Sequence, residues 1–261
     1  MAADQIKFED GAGYEKMMGS WSRMVGDRFL DWLEPAPAGR WLDVGCGNGA
    51  FTAQIGERCA PAEVVGIDPA LPQLSYARQR PDASGITFLQ GDAMALPFED
   101  GRFDSAVGAL VIFFMPDPAK GVAEMARVVR PGGSASTYAW DLLGGGFPYE
   151  AVQAQMLAVG LTPLTAPRAE AAELGELERL WQAAGLMQTE TTAITVEREF
   201  PSFDTFWSVA VTVPGIGPVL AKLPQEDVAR LRDRVRDSLP ALPDGRVRVS
   251  ARAHAVRGVR G

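Results

Sequence analysis

Cysteine and histidine are nearly missing from this chain, which has Cys46, Cys59 and a single histidine, His254. Two cysteines with no CxxC spacing and no neighbouring histidine exclude a disulfide framework and a zinc site, so no metal is expected. Long apolar runs are missing too. No window approaches the roughly 18 consecutive apolar residues of a membrane span, and the start, MAADQIKFEDGAGYEK, lacks the basic-then-apolar order of a signal peptide. These absences point to a cytoplasmic protein without membrane insertion. Positive charge is also short: the formal net charge is −8, the wrong sign for a surface that meets nucleic-acid phosphates. Five arginines within residues 246–261 are a local exception and read as a solvated strand face and tail. What is plentiful is apolar: hydrophobic residues make up 47% of 261 positions, enough for a substantial core.

The apolar residues alternate in period. WSRMVGDRFLDWL (21–33) places Trp21, Met24, Val25, Phe29 and Trp32/Leu33 largely on one helical face, and PAPAG ends that helix. Then follow a strand WLDVG (41–45), a helix carrying Phe51, Ile55 and Cys59, a strand VVGID (64–68), a helix through LPQLSYARQR and a strand ITFLQ (86–90). FDSAVGALVIF (103–113) reads as the fourth strand, residues 118–129 as a helix entered through Asp117-Pro118, Pro131-Gly132-Gly133 as its stop and GGSASTYAW (132–140) as the fifth strand. Continuous apolar strands separated by helices predict a parallel sheet covered on both faces, an α/β doubly wound fold. Beyond residue 140 come a Gly/Pro-rich stretch with a short helix, the amphipathic LGELERLWQAAGL, a strand in QTETTAITVERE and a last strand in RVRVSARAHAV. In that last strand the valines and alanines share one face, while Arg246, Arg248, Arg252 and His254 share the other; His254 reads as structural.

RWLDVGCGNGAF (40–51) carries the chemistry. Glycines 45, 47 and 49 follow a buried strand and open a helix, so backbone N–H groups come within reach of a ligand. The segment fits both GxGxG and the dinucleotide pattern GxGxxA. Asp43 separates them: a carboxylate beside a phosphate is unfavourable, whereas a ligand with an ammonium and a sulfonium gains from it. Asp68 ends the second strand where an acid accepts from ribose hydroxyls, and Asp92, after the third strand, can accept from an exocyclic amine. Three acids at successive strand ends beside a glycine turn describe a site for an adenosine bearing a cation, and S-adenosylmethionine (SAM) is the natural candidate.

LDVGCGNG, VVGIDPA, GDAMALPF, FDSAVGALVI and EMARVVRPGG, in this order over roughly residues 38–140, resemble the class I SAM-dependent methyltransferases, in particular the small-molecule group of ubiquinone and menaquinone biosynthesis. The resemblance implies a Rossmann-like seven-stranded sheet of order 3-2-1-4-5-7-6, last strand antiparallel, with a helical cap. It implies one methyltransferase domain over 1–261, with 1–33 as an N-terminal helical lid, 34–140 as the SAM-binding core and 200–245 as an inserted cap element. By the same resemblance Asp43, Gly45, Cys46, Gly47, Asn48 and Gly49 hold the methionine moiety, Asp68 the ribose and Pro69 the adenine face. Asp92 and Ala93 read the adenine edge, Ala109 and Leu110 flank the sulfonium, and Tyr14 and Arg23 stand near the methionine carboxylate. S-adenosylhomocysteine is the implied product.

The acceptor is narrowed by absence. Nothing like NPPY follows the fourth strand, no thiol cluster suits arsenite and no acid cluster suits a catechol-type magnesium site. A small, partly apolar metabolite remains, held between the strand ends and a cap from residues 1–33, 141–170 and 200–245; a protein acceptor and a homodimer stay open. Where some relatives carry a histidine, this chain has Phe113-Phe114, which leaves Asp141 and Tyr149 as candidate bases. Phe203, Phe206 and Trp207 read equally as packing or as acceptor-pocket lining. A non-catalytic SAM-binding or partner-binding domain is the alternative reading, with an NAD-type oxidoreductase behind it.

Overall fold

The computed structural model describes residues 13 and 15–261. Helix α1 (Ser20–Leu33) buries Trp21, Val25, Phe29 and Leu30 on one face, as the spacing predicts, and ends where Glu34 turns left-handed. Seven strands form one sheet: β1 (Arg40–Val44), β2 (Glu63–Asp68), β3 (Thr87–Gln90), β4 (Phe103–Ala109), β5 (Val129–Trp140), β6 (Leu186–Phe200) and β7 (Val247–Arg260). Their order is β3-β2-β1-β4-β5-β7-β6. The first five pair in parallel, and β7 runs antiparallel to both β5 and β6. This is the doubly wound, Rossmann-like arrangement expected.

Helices α2 (Ala50–Arg58), α3 (Leu71–Ala77), α4 (Pro118–Val128) and α6 (Leu174–Ala183) cover the sheet, while α5 (Glu150–Ala158) packs against the helix Gln225–Ser238. Asp117 caps α4 by accepting the Lys120 backbone N–H at 3.1 Å. Between β6 and β7 lie α7 (Phe203–Ala210), the short α8 (Gly217–Leu220) and α9 (Gln225–Ser238). Strand order reverses between β1 and β4, and the crevice beyond the carboxyl ends of such strands is where open α/β sheets bind ligands.

Two boundaries differ from the sequence reading. β4 ends at Ala109 rather than running to Phe113, because Leu110 adopts a left-handed backbone (φ 56°) and the chain then coils into a 3-10 turn over Ile112–Phe114. β5 begins at Val129, ahead of the Pro-Gly-Gly stop. Its register against β4 shifts between Phe103 and Ser105, since Pro131 has no N–H to donate and Gly132 turns left-handed.

Candidate active site

The strand ends of β1, β2 and β4 open into a cavity of about 630 Å³, within the ~300–1,000 Å³ of small-molecule sites. Its lining brings together Asp43, Gly45, Cys46, Gly47, Asn48, Asp68, Pro69, Asp92, Ala93, Ala109 and Leu110. Eleven residues singled out from separate parts of the chain therefore meet at one place.

Asp43 sits in the middle of the sheet, registered against Gly66 on one side and Val107 on the other, and is fully buried. Thr52 Oγ1, from α2, donates to its Oδ2 at 2.6 Å. Its Oδ1 has no partner. Burial pushes the carboxyl up to about 7, against the Thr52 hydrogen bond that lowers it, and the neighbouring Asp68 raises it further. An orphan oxygen on a residue of the cavity lining asks for a donor or a cation. A negatively charged phosphate supplies neither.

Gly47 shows why the turn must be bare. Its φ is 51°, and a Cβ there would meet nothing within 4 Å on the protein, so a side chain would be strained and would stand in the cavity mouth. Asp68 fixes this turn: Oδ2 accepts the Gly47 N–H at 2.9 Å and Oδ1 accepts the Ala70 N–H at 2.8 Å. Burial raises the Asp68 carboxyl, and the two N–H groups oppose that. Asp68 thus holds its own turn as well as facing the cavity, and its remaining lone pairs are available to hydroxyls. Asp92 is exposed and accepts the Met94 N–H at 2.9 Å.

Asn48 is buried and clips an N-terminal π-helical turn, Glu15–Gly19, to the glycine loop. Its Nδ2 donates to Glu15 Oε2 at 3.0 Å, and Arg80 pairs with the same oxygen at 3.2 Å. The turn leading into α1 is thereby tied beside the cavity.

Other expected residues lie elsewhere. Gly49 caps α2 behind the turn and does not line the cavity. Arg23 is on the surface, paired with Glu57 at 2.8 Å, and is not among the residues that line the cavity. Tyr14 lies outside the described residues. Tyr149 is fully buried, its hydroxyl donates to the Met17 carbonyl at 2.7 Å, and burial pushes it up to about 12. A strut with that chemistry is no base. Asp141 is buried against Arg252 and the 141–146 loop, away from the cavity. Phe203, Phe206 and Trp207 are buried in the packing of α7 and do not line the cavity. His254 contacts the Ala172 carbonyl and Asp141.

Lining residues that sequence reasoning missed include Ser22, Gln73, Val111, Phe114, Tyr138 and Thr165–Pro167. Gln73 and Tyr138 carried a usable signal, a polar group one turn after a strand end and a hydroxyl near the end of β5. Thr165–Pro167 lie in a loop without periodicity and carried none.

The fold and this site define a class: a Rossmann-like, doubly wound sheet with a ligand cavity at its switch point. Residues 42–137 match a family model described as "Methyltransferase domain". The chain is 44% identical over 115 residues to the demethylmenaquinone methyltransferase of Thermus thermophilus, covering 43% of this chain and 50% of that protein. It spans about half the length of that relative. Among solved structures, YcgJ from Bacillus subtilis superposes with a TM-score of 0.60 at 18% identity, over 91% of this chain and 98% of that one. Haemonchus contortus phosphoethanolamine N-methyltransferase 2, solved with SAM, superposes with a TM-score of 0.57 at 19% identity, over 95% of this chain and 56% of that one. Residues 42–137 of the chain are therefore similar to a methyltransferase domain, and its fold is that of these solved structures. Among the described residues, no helix is long and apolar enough to cross a membrane.

Asp68→Ala is expected to weaken SAM binding by about 1.5–3 kcal/mol, the size of a lost charged hydrogen bond. Because the Gly47 N–H is freed at the same time, the variant also loses order in the 45–49 turn. Calorimetric titration and amide exchange of that turn check the two effects separately.

Proposed function

We propose that this protein transfers the methyl group of SAM to a small, partly apolar molecule. The observation that carries the reading is the fully buried Asp43, a residue of the cavity lining at the strand ends with one carboxylate oxygen that has no hydrogen-bond partner. A cationic ligand satisfies it and a dinucleotide phosphate does not. The residues fit the cofactor. Asp43 and the Gly45–Asn48 backbone would hold the amino-acid end, Asp68 and Pro69 the ribose and adenine, and Asp92 with Ala93 the adenine edge.

SAM when bound supplies a methyl group already activated by a sulfonium, so the protein's task is positioning and water exclusion. Ala109 and Leu110 form the floor where that group would arrive, Phe114 and Tyr138 supply aromatic walls, and aromatic faces attract cations. The relative's name, demethylmenaquinone methyltransferase, supports a small-molecule acceptor. Calorimetric titration with SAM, with NAD as control, tests the reading. SAM binding without an NAD response is expected; NAD binding without SAM binding would restore the oxidoreductase alternative.

A further inference from the structure

A second cavity, about 140 Å³, adjoins the first. Leu110, Phe114, Thr165 and Ala166 line both, so one wall is common to the two. Leu110 is held there in a left-handed conformation, its N–H donating to the Tyr138 carbonyl at 2.8 Å. A non-glycine residue in that region is strained, and such strain persists where the surroundings over-determine it. The conformation places a leucine side chain at the boundary between the two spaces.

Beyond that boundary the lining is apolar, with Phe113, Trp140 and Phe147 prominent. Gln153 stands among them. Its amide makes no side-chain hydrogen bond with any described residue, although α5 aims it at the chamber. The far wall comes from the β6–β7 insert: Val213, Pro214 and Gly215. Leu164 N–H donates to the Gly215 carbonyl at 3.0 Å. A Cβ on Gly215 would lie 2.4 Å from the Leu164 carbonyl oxygen, so only glycine lets the two loops close. The same Cβ position is 3.8 Å from Gln153 Nε2, which puts the amide beside this wall.

The geometry points to this chamber as the seat of the methyl acceptor, resting on the methyltransferase reading above: a compact apolar head group about the size of one six-membered ring, with one oxygen or nitrogen substituent held by Gln153. Size sets the first half of that statement, since a cavity of roughly 150 Å³ lined by apolar side chains accommodates benzene. Gln153 sets the second, because its half-buried amide stands in an otherwise apolar lining and offers a donor and an acceptor to a ligand there. An acceptor atom at the Leu110 boundary takes the methyl carbon as the carbon–sulfur bond breaks, sulfur keeps the electron pair, and a proton carried by the acceptor leaves to bulk solvent. Val213–Gly215 and Leu164–Ala166 determine which head groups enter.

Phenol and toluene are ring-sized probes that differ in the polar group, and titration of each into the full chain by ligand-observed NMR tests the proposal. Both are expected to bind. Gln153→Leu should raise the phenol Kd roughly three- to tenfold and leave toluene within twofold, and Ala169→Phe should remove both by filling the chamber. SAM affinity should be unchanged in each variant. Should Gln153→Leu fail to fold, Gln153→Met takes its place in the same comparison. Failure of both probes to bind the folded protein, or equal changes for the two probes in the Gln153 variant, overturns the proposal. SAM binding without probe binding sinks the chamber alone, and probe binding without SAM binding sinks the methyltransferase reading.

Discussion

Replacing Asp43 by asparagine is expected to lower SAM affinity at pH 8 by about 1.5–3 kcal/mol, roughly 10- to 100-fold, while making the ligand-free protein more stable. The two effects share one cause. In the free protein the Asp43 carboxyl is pushed up to about 7 by burial, whereas in the unfolded chain it titrates near the ordinary 3.8. Between those values the folded state holds a proton that the unfolded state has released, so stability falls as pH rises from about 4 to about 7. The loss amounts to about 4 kcal/mol by pH 8. Asparagine escapes that cost, less the about 1–3 kcal/mol of its own unpartnered amide. A cation in the cavity reverses the balance by favouring the ionised form. SAM affinity in the parent protein should therefore rise between pH 6 and 8 and level off above, and in Asp43→Asn the Asp43-linked part of that rise should vanish. Calorimetry at four pH values, with thermal melts of both proteins without ligand, checks both arms. A variant that loses SAM affinity and stability together would instead mark Asp43 as a packing residue.

The site was legible in the chain where local pattern determines position. A strand that ends in Asp-x-Gly-x-Gly-x-Gly must deliver Asp43 within the sheet and the glycines to its edge, and the βα alternation places Asp68 and Asp92 on that same edge. Long-range pairing was not legible. Asp141 and Tyr149 looked available because they follow β5, yet each is claimed by a partner more than a hundred positions away, Arg252 and the Met17 carbonyl. The run Ala109-Leu110-Val111-Ile112-Phe113 was also opaque. Apolar residues buried in a strand and apolar residues buried in a 3-10 turn look alike in sequence, and nothing about leucine announces a left-handed backbone. The two cavities share a wall at that turn, so the feature hardest to read lies where the acceptor is proposed to enter.

Arg252→Met is expected to cost about 2–3 kcal/mol of stability and to leave SAM affinity unchanged. Asp141 is 5% exposed at its side chain, and its Oδ2 accepts from Arg252 Nε at 2.9 Å and Nη2 at 2.6 Å. Its Oδ1 accepts the Gly144 N–H at 2.8 Å, and Arg252 Nη2 also reaches the Gly144 carbonyl. Backbone bonds from Asp141 N–H to the Arg252 carbonyl and from Arg252 N–H to the Gly146 carbonyl close the knot. Removing the guanidinium strands a buried carboxylate, which costs about 3–5 kcal/mol when both partners are buried. The Arg252 side chain is 43% exposed, so water screens part of the pair and the lower figure follows. The knot fastens the 141–146 loop, from which Leu142 and Leu143 line the smaller cavity. Urea melts of Arg252→Met should show the loss. At a temperature where the variant stays folded, toluene binding should weaken while SAM binding holds, because the glycine turn and Asp43 are built by β1 and α2 and do not depend on β7. Loss of SAM binding in a variant that remains folded would show instead that Asp141 acts on the cofactor cavity.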